Sequence, residues 1–302
     1  MPRYEFTDNV FIEKRIAGKP HAGKVLAAVQ AHADDIPFFC AGTVAKLIDE
    51  GYTAYLIQTT NDEKCGPTTS LGQTILSNEQ EVDDLAHVLG FKGVYHLGYR
   101  NHRLDEASWT ELRARLVLLF RFLKVDTVLT FNPWGEWEEN PDHTVTGRAV
   151  EAASWMGGMN KDYPEQIAAG LKPHSVREKY YFVARPTQQF NRMVDIGDFI
   201  DAKIAALSVN KTQGPAGSHG SKLKTRLAQQ GLKLPLLEGD AETADRAYIR
   251  QFGLQPYRAL GQPYGLDYAE AFFHISPEFH FLGAVRPQDV EQYIKDHAVQ
   301  IK

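Results

Sequence analysis

Residues 24–31 read K-V-L-A-A-V-Q-A, a nearly continuous apolar run that suits a parallel strand buried on both faces. The next apolar stretch follows Pro37 and continues to Gly51. Within it Phe38, Ala41, Ala45 and Ile48 recur at helical spacing, with Pro near the start and Gly beyond the end, so one helix is predicted. Residues 54–59 predict a second strand. Residues 61–77 are polar and interrupted by Gly66-Pro67 and Gly72, which predicts a long functional loop. A helix over 78–89, closed by Gly90, and a third strand over 93–97 follow. Ser108 and Glu111 have the spacing of a capping box ahead of a helix that aligns Leu112, Leu116, Leu119 and Leu123. Residues 126–131 predict a fourth strand, 133–142 a loop and 143–156 a helix. Repeated strand–helix units predict the α/β class, with a mostly parallel sheet covered by helices.

Beyond residue 157 the pattern is less regular. Gly157-Gly158, Pro164, Gly170 and Pro173 punctuate a loop-rich segment. A strand is predicted over 177–184, helices over 196–207, 222–230 and 241–252, a flexible loop over 214–220 and a late strand over 268–275. With neither a repeat nor a marked linker, one domain over 1–302 with a C-terminal elaboration is expected.

Composition narrows the function classes. The 302 residues are 43% hydrophobic and 24% charged, enough for a sizeable core. A formal charge of -5 argues against a nucleic-acid binder with a strongly basic surface. Cys40 and Cys65 are too few for a disulfide scaffold or a four-cysteine zinc cluster, and Cys40 reads as a packed thiol. The chain has neither an apolar run long enough for a transmembrane helix nor a secretory-type N-terminal run, so a cytoplasmic protein is expected.

The candidate chemistry lies at two strand-to-helix junctions, His32-Ala33-Asp34-Asp35 after the first strand and Asn140-Pro141-Asp142-His143 after the fourth. Ligands of parallel sheets bind beyond the carboxyl ends of the strands, and both junctions fall on that edge. His32, one of the two adjacent Asp residues and His143 form a two-His, one-carboxylate set for a metal with open positions, the other Asp being suited to take a proton from water. The simpler alternative is that the Asp residues, including Asp142, cap helices and His143 is an ordinary first-turn residue. A G-x-G-x-x-G or Walker sequence is absent, which weakens nucleotide binding.

The strings A-V-Q-A-His32-Ala33-Asp34-Asp35-I-P-F-F-C-A-G-T and Asn140-Pro141-Asp142-His143-x-x-x-Gly147 resemble the two signatures of the LmbE-like, or PIG-L-like, zinc-dependent N-acetylglucosamine deacetylases. Those signatures usually read A-H-P-D-D and H-P-D-H-x-x-x-G. The resemblance takes in Glu81 to Gly90, His96 to Tyr99, Val194-Asp195-Ile196, Thr212-Gln213 and Tyr268 to Phe272, and extends over residues 24–275. It implies a Rossmann-like three-layer α/β fold. It also implies a site in which His32, Asp35 and His143 bind Zn²⁺ or another divalent transition metal, with Asp34 as general base. The implied activity removes an N-acetyl or related N-acyl group from a small amino-sugar conjugate, and a homo-oligomer is the implied assembly. Hydrolysis of a larger amide, or carbohydrate binding with little turnover, are the rival readings.

The chain departs from this pattern at four places. Ala33 replaces the usual Pro, Asn140 the usual His, Asn78 a common Arg and Asn101 a common Asp. Asn140 can donate to an oxyanion but cannot titrate, so it is expected as the second catalytic residue. Asn78, Tyr99, Asn101, His102 and Arg103, with Trp134 and Trp137 as aromatic faces, are the expected substrate contacts. Glu138 and Glu139 are expected to add negative charge at the entrance. His174, His219 and His274 read as structural, with His274 the reserve ligand.

Overall fold

The computed structural model describes residues 10–67, 70–213, 217–276, 285 and 287–300. A short strand, β1 (Phe11–Glu13), precedes the first apolar run, which forms β2 (Val25–Gln30). The predicted helix after it is broken into α1 (Asp35–Phe39) and α2 (Ala41–Asp49). Strand β3 (Thr53–Thr60) leads to α3 (Leu71–Leu89), then β4 (Gly93–Tyr99), α4 (Trp109–Leu123), β5 (Thr127–Phe131) and α5 (Pro141–Met156). The second half carries α6 (Pro164–Ala168), β6 (Glu178–Phe182), β7 (Arg192–Asp195), α7 (Ile200–Val209) and α8 (His219–Gln229). It continues with α9 (Ala241–Tyr248), α10 (Gln255–Gly261), β8 (Ala269–Ile275) and α11 (Pro287–His297).

These strands form a single sheet in the order β1-β7-β8-β6-β5-β2-β3-β4, in which β8 runs antiparallel to both of its neighbours and all other pairs are parallel. This is the expected α/β, Rossmann-like arrangement with a mostly parallel sheet. Alternate residues of β2 supply the two faces. Leu26 and Ala28 pack into the core with α1, α2, α3 and α7, whereas Ala27 and Val29 pack with α4 and α5. The chain leaves β2 for β3 on one side and later returns to place β5 on the other. The crevice beyond the ends of β2 and β5 is therefore the topological switch point, where such sheets bind ligands.

Three local differences from the sequence reading matter for the site. Helix α3 begins within the predicted loop, because the Ser70 hydroxyl accepts from the Gln73 amide and caps the first of two turns in which Leu71 and Leu76 face outward. Helix α5 begins at Pro141 rather than at residue 143, with Asn140 as its cap. The helix after β2 breaks at Cys40, whose φ is -148°. Elsewhere residues 197–199 form a 3₁₀ turn before α7, and α8 starts at His219 within the expected loop, of which 214–216 lie outside the described residues.

The Cys40 break is held from the C-terminal half. The Glu270 carboxylate on β8 accepts from the Gly42 and Thr43 amides at 3.1 and 2.7 Å and from the Thr43 hydroxyl, satisfying the start of α2. Lys203 on α7 donates to Glu270 and to the Phe38 carbonyl, each at 2.7 Å, and the Tyr257 hydroxyl donates to that same carbonyl. Both charged side chains are fully buried. Lys203→Met leaves the Glu270 carboxylate without its cation, and a loss of about 3 kcal/mol in urea unfolding is expected. Adding Glu270→Gln should recover part of it; a loss below about 0.5 kcal/mol in the single variant would contradict this coupling.

Candidate metal centre

At the switch point, the turn after β2 brings His32, Asp34 and Asp35 to the start of α1, while the first turn of α5 brings His143. Gly147 permits the approach: a Cβ there would lie 2.7 Å from the Phe131 carbonyl at the end of β5. The Phe131 ring stacks on the His143 imidazole with centroids 3.9 Å apart. His32 Nδ1 then lies 2.9 Å from His143 Nε2, and Asp35 Oδ1 lies 3.4 Å from His143 Nε2. Ligand atoms of His32, Asp35 and His143 all fall within 4.8 Å of one another.

The outer sides of this cluster define its chemistry. His32 Nε2 lies 3.1 Å from Asp142 Oδ2. The fully buried Asp142 carboxylate also accepts from the His102 amide at 2.6 Å, the Leu104 amide at 3.0 Å and the Asn101 side chain at 3.3 Å. His143 Nδ1 lies 3.1 Å from Glu138 Oε1. A carboxylate on the outer nitrogen favours the proton there and turns the inner lone pair toward the centre. Asp35 Oδ2 accepts from the Ala31 and His32 amides at 2.9 and 2.8 Å, which fixes its carboxylate. Two inward imidazole nitrogens and one anchored carboxylate are a donor set suited to a divalent metal ion.

Burial alone would push the imidazoles down, yet the Asp142 carboxylate that accepts from His32 and the nearby Asp35 charge hold His32 well above its usual range. Burial likewise opposes, and the Asp35 charge and hydrogen bond outweigh, in raising His143 to about 9. Burial raises a carboxyl, but the facing His143 overcomes it and keeps Asp35 low. Asp34 has no such partner: burial and the neighbouring charges of Asp35 and Asp62 push it up to about 7.

The cavity over the cluster encloses about 290 Å³. Phe38 and Phe39 form an apolar wall, and Cys65, His102, Asn140 and Gln213 complete the rim around Asp34. Asn140 has two faces. Its Oδ1 accepts from the Asp142 amide at 3.0 Å, so the cap of α5 is Asn140 and not Asp142. This bond turns its amide nitrogen away from the helix, on a residue that lines the cavity.

Other expected substrate contacts sit elsewhere. Asn78 is buried and donates to the Asp62 and Cys65 carbonyls at 2.9 Å, tying α3 to the loop after β3. Asn101 is buried behind Asp142, and Tyr99 lies under the Arg115 guanidinium. Arg103 is exposed and paired with Glu106. Trp134 packs edge-on against Tyr181, and Trp137 is 73% exposed. Neither Trp lines the cavity. Glu138 is not a free charge at the entrance, since Arg185 and His143 both face it, whereas Glu139 is exposed. Cys40 is buried as expected. His174 faces Asp126, His219 stacks on Tyr248 and His274 packs on Tyr180, all outside the cluster. Sequence reading offers Asp142 only as a helix cap and gives Gln213 no site role, although both stand within the strings that carry the family resemblance.

Residues 27–154 match the family described as PIG-L: GlcNAc-PI de-N-acetylase. A diacetylchitobiose deacetylase of Thermococcus kodakarensis is 31% identical over 198 residues, covering 64% of this chain and 71% of that protein. A probable N-acetyl-alpha-D-glucosaminyl L-malate deacetylase 2 of Bacillus anthracis is 22% identical over 241 residues, covering 75% and 93%. Among solved structures, N,N'-diacetylchitobiose deacetylase from Pyrococcus horikoshii is similar in fold, with a TM-score of 0.68, 22% identity and 86% of each chain covered.

Two outcomes follow from the geometry. Asp142→Asn removes the anion behind His32, and divalent-metal affinity measured by chelator competition should fall at least about tenfold. Unchanged affinity would reject Asp142 as the group that orients His32. Asn140→Ala removes the α5 cap and should lower unfolding stability by about 1 kcal/mol. Thermal and urea melting check this, and equal stability would show that the cap is dispensable.

Proposed function

The chain belongs to the PIG-L, or LmbE-like, family, and on that premise we propose that it is a zinc-dependent hydrolase that removes an N-acetyl or related N-acyl group from an amino-sugar conjugate. The observation that carries this reading is the convergence of His32, Asp35 and His143 beside Asp34 in one cavity at the switch point of the sheet.

Two imidazoles and a carboxylate leave coordination positions open, which is the donor pattern of hydrolytic zinc sites. When bound, the ion supplies Lewis-acid polarisation of the acyl oxygen and acidifies water. The protein's own groups supply the remainder. Asp34 lines the cavity next to the ligand Asp35, and its carboxylate takes the proton from the attacking water. The same carboxyl then returns a proton to the departing nitrogen, so that amine and carboxylate leave. The Asn140 amide nitrogen donates to the acyl oxygen as negative charge develops there, a role in which one donor contributes about 3 kcal/mol. Phe38 and Phe39 pack against the apolar parts of the substrate.

Of the loop after β4, His102 lines the cavity, which supports it as the substrate contact from that loop. Asn101 acts through Asp142, and Asn78 through the loop after β3. Trp134 and Trp137 are suited to contact a substrate part that extends out of the cavity. Among the described residues no helix is long and apolar enough to cross a membrane.

The test is to incubate zinc-loaded protein with a panel of N-acetylglucosamine conjugates and quantify free amine and acetate together. Asp34→Asn should keep most of the zinc while lowering kcat at least about a hundredfold, because an amide cannot accept the proton. Turnover equal to the parent in metal-matched D34N would reject Asp34 as the base. Release of neither product by the parent, with zinc bound, would reject the deacetylase reading itself.

A further inference from the structure

Asp62, whose charge bears on Asp34, carries a structural cost that this influence does not explain. It lies two residues beyond β3, is fully buried, and holds a φ of 54°, a left-handed conformation uncommon outside glycine though more accessible to Asp than to most side chains. Its Oδ1 has no hydrogen-bond partner. Strain and an unpartnered buried oxygen each oppose folding, so the surrounding structure must hold this carboxylate in place.

Its other oxygen shows what is held. Asp62 Oδ2 accepts from the Ala33 amide at 2.7 Å and from the Gln213 side-chain amide. Ala33 sits between the ligand His32 and the acid Asp34, and its carbonyl accepts from the Asn210 side chain at 3.1 Å. The Ala33 N–H exists only because Ala33 stands where the resembled signature has Pro, which lacks that donor. Gln213 is delivered from the opposite side by the segment after α7. Glu81 on α3 fixes that segment, accepting from the Lys211 and Thr212 amides at 3.1 and 2.7 Å and from the Thr212 hydroxyl at 2.6 Å.

A carboxylate is acceptor-only, so Gln213 must turn its NH₂ toward Asp62 and its carbonyl oxygen the other way. Gln213 also lines the cavity. We propose that Asp62 is a positioning residue that fixes the flip of Gln213, and that Gln213 Oε1 thereby selects substrates by accepting a hydrogen bond from an amino-sugar O–H or from the scissile amide N–H. This rests on the deacetylase reading for its substrate class; the Asp62–Gln213 latch itself does not.

The experiment uses zinc-loaded parent, Gln213→Leu and Asp62→Asn with three probes: an N-acetylglucosaminide that the parent hydrolyses, its 3-deoxy analogue and its N-methylacetamide analogue. In the parent, kcat/KM should fall about tenfold for the analogue that lacks the recognised donor. In Q213L that penalty should disappear, and the full substrate should lose mainly through KM. In D62N the substituted side chain gains an NH₂ that can donate to Gln213, so the Gln213 amide can invert. The penalty should then disappear likewise while zinc affinity by chelator competition stays within about twofold. The 3-deoxy arm identifies a hydroxyl as the partner and the N-methyl arm an amide. If Q213L keeps the parent's penalties for both analogues, Gln213 is not the selecting acceptor. An activity-free readout accompanies these assays: the Gln213 side-chain amide protons, observed by ¹⁵N-edited NMR, should exchange slowly in the parent and at least about tenfold faster in D62N. Equal exchange overturns the latch. If the zinc-loaded parent hydrolyses no N-acetylglucosaminide from which such a probe set can be drawn, the deacetylase reading is overturned, while the NMR result still decides the latch.

Discussion

Two imidazole nitrogens held 2.9 Å apart, with a carboxylate oxygen 3.4 Å from one of them, cannot all present lone pairs to each other without a cation between them. A proton can satisfy part of that arrangement, and against the pull of burial the carboxylates of Asp142 and Asp35 favour the protonated form of His32, and that of Asp35 the protonated form of His143. A divalent ion satisfies all three at once. Most other features of the crevice serve to keep this electrostatic problem in place. Asp142 and Glu138 stand behind the two rings, Phe131 stacks on one of them, and the Ala31 and His32 amides pin the third ligand. Asp142 in turn stays charged in a fully buried position, since His32 and three donors from the loop after β4 offset its desolvation.

The ligand cluster is thus anchored by strands next to each other in the sheet but far apart in sequence. Parallel β2 and β5 end at the same edge, and only a small residue at position 147 allows α5 to leave β5 closely enough for His143 to face His32. On the other flank, the short α1 bears Asp35 and both cavity phenylalanines, and it is too short to be stable alone. Its C-terminal end is fixed by Lys203, Tyr257 and Glu270, residues contributed by α7, α10 and β8.

The parts of this fold that announce themselves in sequence are those whose physics is local. The run from Val25 to Gln30 is apolar because β2 is covered on both faces, and the Leu face of α4 repeats because it packs on one side of the sheet. Strands β1 and β7 have three and four residues and carry too little pattern to stand out. The first turns of α3 resemble a loop because they pack outwardly and depend on the Ser70 cap. Site residues divide the same way. His32, His143 and an adjacent Asp stand out from their strand-to-helix junctions, and the family resemblance selects Asp35 over Asp34. Asn78 and Asn101 read as substrate contacts because polar residues in a junction look alike whether they face a cavity or brace a loop; in the fold both turn inward to bond. Asp142 was hidden for the opposite reason. It looked like a helix cap, and the partners that give it another task come from residues 32, 101, 102 and 104.

The departures from the resembled signatures follow one rule: the metal-facing atoms are kept, and the changes fall on backbone constraint and neutral hydrogen bonding. Ala33 exchanges the stiffness of Pro for an amide that Asp62 grips at 2.7 Å, so the turn is held by a tertiary bond instead of a ring. Asn140 exchanges a titrating group for a neutral one whose oxygen is committed to the α5 cap. All of the ligand set lies within residues 27–154, the segment that matches the family. Gln213, and the Lys203, Tyr257 and Glu270 clamp behind Phe38, lie outside it. Substitutions in the C-terminal half can therefore reshape the cavity wall without moving a metal-binding atom, provided that the Cys40 break and the turn at Ala33 remain braced. That separation lets a fixed hydrolytic centre be combined with different rims.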